Sequence, residues 1–243
     1  MGEQPTADNG ANGLPIEAAQ LRDGIAQLGQ QMQTVSKDFE RLFPALEQTL
    51  RSVAHNAGTL ADAASKVADS VDAAATAFRA NMPNQPTLDC ARSCHACCHL
   101  YVKMPPGFAE LIADYVINHF SEDQLASLKE DLAVAAEKER VADPSGFGYR
   151  NPCPMLGEDR SCRIYPVRPL SCRSFTSSSR PQCDAMAFGG QTNAEIDQQP
   201  TLVGFYGIAT KVLEDAATAQ GLPADQQTLS VAVLAALNER LAA

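Results

Sequence analysis

All eight cysteines of this chain fall between residues 90 and 183, with none before that stretch and none after it. Cys90, Cys94, Cys97 and Cys98 lie within nine residues; Cys153, Cys162, Cys172 and Cys183 lie within thirty-one. Thiols gathered this closely, an adjacent pair among them, are not what apolar packing alone selects. The reasons to collect soft sulfur ligands are a metal ion, an iron–sulfur cluster or a disulfide framework. Any of the three ties together distant parts of the chain, which constrains the fold more than any local pattern does.

The surroundings narrow that choice. Residues 1–20 carry neither the basic stretch nor the apolar core of a secretory signal. No run of eighteen apolar residues exists, so no membrane span is expected. The expectation is a cytoplasmic protein, and in a reducing pool stable disulfides do not persist. Metal or cluster binding is then the expected use of the thiols, with disulfides or scattered buried thiols the lesser reading. The start Met1-Gly2-Glu3-Gln4-Pro5-Thr6 fits the short myristoylation pattern, which we read as chance because nothing else supports a lipid anchor. A net charge of −10 argues against nucleic acid or an acidic membrane surface as a partner. The charge is uneven, however: residues 150–180 hold six arginines, no lysine, and only Glu158 and Asp159 as acids.

Three regions follow a polar tail, residues 1–16, rich in Gly, Pro, Asn and Asp and expected to be disordered. Over 17–82, apolar residues keep a seven-residue spacing: Ile25, Met32, Phe39, Leu46, Val53, Leu60, Val67 and Ala74. A second stripe, Leu28, Val35 and Leu42, moves one position to Leu50, Ala57, Ala64, Val71 and Phe78. Spacing sustained over this length predicts a helical, coiled-coil-like module, with an amphipathic helix pair folded onto the rest of the chain as the equal alternative. Pro44 kinks that helix or divides it. The module is expected to be separable and to drive self-association or docking on a protein partner.

Residues 86–190 hold the cysteines. Two helices are predicted between the two groups, one after Pro105-Pro106 and one opened by a capping box at Ser121. Beyond Asp143 the sequence turns to Pro, Gly, Ser and Arg with little periodicity, and such a segment cannot fold on its own apolar burial. A bound metal would hold it. Residues 194–243 read as two helices broken at Gly221-Leu222-Pro223, completing the core beside the cysteine domain. The fold class is thus mainly α: a long N-terminal helical region, then a small helical domain with a metal-pinned, cysteine- and arginine-rich loop.

Four thiolates around zinc or a four-iron cluster leave a site with a net negative charge, and nearby cations lower the cost of burying it. Arg92, Arg163, Arg168 and Arg173 stand close to cysteines in sequence and suit that role, against a plain solvated reading of equal weight. Spacing alone does not choose the metal. Only Cys94 and Cys97 form a C-x-x-C knuckle, whereas a zinc ribbon wants two; compact cysteine runs with arginines occur equally in iron–sulfur proteins. His95 and His99 are expected beside the thiols or toward solvent. Cys97 and Cys98 do not easily point at one ion, so one of them is free to face a second site.

The run Cys90-Ala-Arg-Ser-Cys94-His-Ala-Cys97-Cys98, then Cys153-Pro-Met-Leu, then Cys162-Arg-Ile-Tyr165-Pro-Val-Arg168-Pro169-Leu-Ser-Cys172-Arg173-Ser-Phe175 resembles the bacterial YkgJ-type cysteine-cluster family, also known by its CxxCxxCC signature. The likeness spans about residues 88–178. It implies zinc or iron as cofactor, an iron–sulfur cluster being one form. Cys90, Cys94, Cys97, Cys98, Cys153, Cys162 and Cys172 are the implied metal ligands; Arg163, Tyr165, Arg168 and Arg173, close to those cysteines in sequence, are expected to line the cofactor. Three residues separate Cys90 from Cys94 where the signature has two, which weakens Cys90. Cys183 lies beyond the motif and is the weakest of the eight. The motif is also similar to that of flagellin lysine methylases, but no glycine-rich strand-to-helix segment for a nucleotide-like cofactor is present.

These observations favour a metal-binding protein with one centre ligated from both cysteine groups. Its rivals are an iron–sulfur enzyme for redox or group transfer, with Tyr165 or the arginines handling an anionic substrate, and an oligomerising adaptor with a structural zinc. There are no paired carboxylates, no Ser–His–Asp arrangement and no phosphate loop, so the sequence leaves catalysis open.

Overall fold

The computed structural model describes residues 16–82, 85–190 and 195–242. The expected disordered tail lies, but for Ile16, outside the described residues. The architecture is mainly helical, with a two-residue antiparallel pair, β1 (Lys103–Met104) and β2 (Gln227–Thr228), as its sheet. No helix among the described residues is long and apolar enough to cross a membrane.

The heptad stripe meets two fates. Helix α1 (Ile16–His55) runs through Pro44, and the chain divides there into the compact units 1–44 and 45–243. In the first unit Ile25 and Leu28 are exposed, at 62% and 55%. In the second, Leu46 and Leu50 are buried, and so are Ala63, Ala64, Val67, Ala68 and Val71 of α2 (Leu60–Asn81). Small residues on that face let α2 pack closely on two later helices, α3 (Phe108–His119) and α7 (Pro200–Ala219). The second half of the 17–82 region thus lies in the same compact unit as the cysteines. The helical run itself breaks not at Pro44 but at residues 56–59, where Thr59 caps α2 by accepting the Asp62 N–H at 3.1 Å. A chain beginning at Ala45 is expected to fold and keep its metal. One beginning at Met82, having lost the α2 face, is expected to do neither, as protease resistance and metal content will show.

Between the cysteine groups, α3 and α4 (Glu122–Val141) form where the apolar periodicity predicted helices. Ser121 opens α4 with a full capping box: its hydroxyl accepts the Gln124 N–H, and the Gln124 carbonyl oxygen accepts the Ser121 N–H at 2.9 Å. Gly107 precedes α3 at φ +90°, and a Cβ there would be driven into the Leu60 carbonyl. Only glycine lets α3 start this close to α2. After α7, Gly221 at φ +71° ends the helix as the sequence predicted, with the Leu222 N–H reaching back to the Ala217 carbonyl at 3.0 Å.

Helix α8 (Leu229–Ala242) lies across α3 and α4 and buries Leu229, Val233 and Leu237. Its first turn is capped from outside. The buried Glu139 carboxylate of α4 accepts from the Ser230 hydroxyl at 2.6 Å and from the N–H groups of Ser230 and Val231 at 3.1 and 3.3 Å. A carboxylate suits the positive end of a helix. Glu139→Ala leaves these donors without an acceptor, and we expect it to cost about 2 kcal/mol, read from the shift of the urea midpoint.

Candidate metal centre

The adjacent pair of the first cysteine group, Cys97 and Cys98, sits on a 3-10 turn, Ala96–His99. The chain then leaves through β1, α3 and α4 and comes back to the same place. The Cys153 N–H donates to the Cys98 carbonyl at 2.7 Å, and the Asn151 N–H to that of His99 at 3.1 Å. A tight hairpin follows, with the Arg163 N–H donating to the Met155 carbonyl at 2.9 Å and Gly157 bonded to Ser161 at 2.8 Å. An isolated antiparallel bridge between Leu156 and Cys162 turns Cys162 back toward the segment that holds Cys153. Residues 165–167 make a further 3-10 turn, and Pro169 leads into α5 (Leu170–Ser174), which carries Cys172.

The result is a gathering of sulfurs from three segments. Cys153 lies within electrostatic reach of Cys162 and Cys172, and Cys162 and Cys172 both lie within reach of Cys97. The neighbouring Cys98 thiol, then burial, hold the Cys97 proton well above its ordinary range. Burial does the same to Cys153 and pushes Cys172 up to about 12. These thiols keep their protons at neutral pH unless a metal displaces them. All eight cysteines are free of disulfides.

The arginines divide by role. Arg168 lies within reach of Cys97, Cys162 and Cys172, with its guanidinium over the Tyr165 ring at 4.3 Å. Arg163, within reach of Cys162, donates to the Pro154 carbonyl at 2.6 Å and stacks on Phe120. The Nε atoms of both are buried without a hydrogen-bond partner, and so is the nearby Ser161 Oγ. Orphaned buried donors call for an acceptor. Thiolates around a metal would be one, so the residues present fit a bound metal.

Arg173 looks elsewhere. Only 7% exposed, it donates through Nε to the Arg168 carbonyl at 2.8 Å and through Nη2 to the Pro166 carbonyl at 2.6 Å. Its Nη1 pairs with Asp72 of α2 at 2.5 Å, and the Tyr206 hydroxyl of α7 donates to the same carboxylate at 2.7 Å. Arg173 thus braces the turn between Cys162 and Cys172 against the helical core. Tyr165 is exposed and supports Arg168.

The remaining cysteines form a second gathering. Cys94 lies within reach of Cys90 and Cys97, and Cys183, on α6 (Arg180–Phe188), within reach of Cys90, Cys94 and Cys97. His95 and His99 turn their rings onto Phe188 of α6, with centroids 5.5 and 4.9 Å away. Among the described residues, no three His, Cys, Asp or Glu side chains are arranged to hold a single metal ion. Cys183, Asp72 and Ser177 are contacts that spacing in the sequence did not reveal. The only signal was that Cys183 follows a helix start, Ser179-Arg180-Pro181, which fixes its direction.

Residues 89–199 match the model of the CxxCxxCC family, described as "Putative zinc- or iron-chelating domain". No curated protein and no solved structure matches the chain.

Proposed function

We propose, with residues 89–199 as a CxxCxxCC domain for premise, that the protein binds an iron–sulfur cluster through Cys153, Cys162, Cys172 and one of the adjacent pair Cys97 and Cys98. One observation carries this reading. Thiols from three chain segments lie within electrostatic reach of two half-buried arginines, Arg163 and Arg168, whose buried Nε atoms lack an acceptor. A cluster held by four thiolates supplies that negative charge, and would also give the site one-electron chemistry.

The cationic surroundings suit a cluster: Arg163 and Arg168 stand within reach of the thiols, and compact cysteine runs with arginines around them occur in iron–sulfur proteins. A cytoplasmic setting suits thiolates that must stay reduced until loaded.

A redox or group-transfer enzyme is the second reading. The exposed Tyr165 ring held against Arg168 favours it, since that pair lies at the surface side of the thiols. The test is direct: protein purified without air is expected to be brown and to hold iron and acid-labile sulfide. Colourless protein with stoichiometric zinc would leave a structural metal, and protein with neither would overturn the proposal.

For the N-terminal unit we propose self-association through the stripe that Ile25 and Leu28 begin. Removing residues 1–44 is expected to turn an oligomer into a monomer in analytical ultracentrifugation at unchanged metal content. A full chain that is already monomeric at micromolar concentration would refute it.

A further inference from the structure

Cys90, Cys94 and Cys183 are brought together by contacts that the centre above does not use. The three-residue spacer between Cys90 and Cys94 folds as a turn, the Cys94 N–H donating to the Ala91 carbonyl at 3.0 Å, with Ser93 at φ +69°. Cys90, at the head of the turn, meets the backbone of Ser177: its Sγ accepts the Ser177 N–H at 3.4 Å and lies 3.8 Å from the Ser177 carbonyl. The Ser177 side chain also lies near Cys183, and Ser177 is 1% exposed. One buried serine thus stands beside two cysteines that are 93 positions apart in the chain.

Packing fixes the rest. Helix α6 lies on the 3-10 turn 96–99, and Cys183 is buried there with Ala96 and Ala187, while Phe175 and Ile196 cover it. The Arg180 guanidinium lies within electrostatic reach of Cys94. The three thiols form a graded series, Cys90 exposed, Cys94 half-buried and Cys183 buried, which gives a centre at this place a side open to solvent. Backbone N–H groups aimed at sulfur and a neighbouring cation are what thiolate ligands of a cluster use.

We propose that Cys90, Cys94 and Cys183, completed by whichever of Cys97 and Cys98 the first centre leaves free, hold a second iron–sulfur cluster beside it. This rests on the metal-centre reading above and extends it: the eight cysteines divide four and four, and the adjacent pair supplies one ligand to each set. An adjacent pair shared in this way puts the two clusters close together. Neighbouring cysteines serving different clusters is a known device of compact two-cluster proteins. The three-residue spacer, which makes Cys90 look like the poorest ligand by spacing, is what carries it to Ser177 and to Cys183.

The experiment counts iron and acid-labile sulfide per full-length chain after anaerobic reconstitution, in the wild type, C183S, C90S and C172S. The wild type is expected to hold about eight iron atoms, two clusters of about four. C183S and C90S are each expected to lose about half, and C172S to lose the other half. Because Cys90 is exposed, C90S tests the site without disturbing the core. Reduced wild type should also show an electron paramagnetic resonance signal broadened by coupling between two clusters, and C90S a simple one. Full iron in both C90S and C183S overturns the second cluster and leaves the first standing. A wild type with two zinc ions, one lost in C90S, keeps the second centre and refutes the iron reading. A wild type without metal removes both.

Discussion

Chelating the metal, or replacing Cys172 with alanine, is expected to open residues 144–183 to protease while α2, α3, α4, α7 and α8 stay folded. The segment has little helix between Val141 and Leu170 and is held by a few long-range backbone bonds, Cys153 to Cys98 and Asn151 to His99 among them. Binding energy at a thiolate site reaches about 10 kcal/mol or more, comparable with the whole stability of a domain. Most of the order in the hairpin and the two 3-10 turns then depends on the metal. The helices depend on their own apolar faces, Leu128 and Leu132 of α4 against α8 for example. Limited proteolysis with mapping of the first cuts checks this. Equal resistance of 144–183 in metal-free and loaded protein would show that packing alone holds it.

The second large effect is expected at Arg173. Arg173→Ala removes one buried partner from Asp72 and leaves the carbonyls of Pro166 and Arg168 without their donor. Asp72 is 37% exposed, so solvent screens the pair in part, and losing it together with the two carbonyl bonds is expected to cost about 2 kcal/mol. Arg173→Lys keeps the charge but not the fork that reaches three acceptors, so it is expected to recover only part of the loss. The Tyr206 hydroxyl, whose pKa burial and then Asp72 push upward, remains a donor across the ordinary pH range and does not replace the missing cation. Chemical denaturation of the loaded protein gives the stability change. Iron content in the same variants separates the roles: a brace loses stability first, whereas a residue lining the centre would change the visible spectrum of the loaded protein at full occupancy.

The sequence showed its helices because their causes are local. The capping box at Ser121, the apolar spacing of α3 and the stop at Gly221 each depend on residues within a few positions, and each appears where it was read. The heptad stripe was equally visible, but its meaning was not. An apolar face says that something covers it and leaves open what does. Residues 63–78 of the stripe, on α2, pack against α3 and α7, which come much later in the chain, so the spacing could not show what covers them. The break at residues 56–59 had a signal, Asn-Ala-Gly-Thr before a helix, that the stronger periodicity masked.

The sequence by itself determined that this chain is helical and that its eight cysteines share one stretch with a run of six arginines, since composition and short-range spacing carry both. Only the tertiary structure decided which thiol meets which. Cys183, last in the chain and poorest by motif, stands with Cys90, while Arg173, inside the motif, turns to Asp72 on a helix a hundred residues earlier. The physical reason is that ligand sets and buried ion pairs depend on direction and distance between segments. Those are set by how α2, α6 and α7 pack, and no spacing along the chain encodes them.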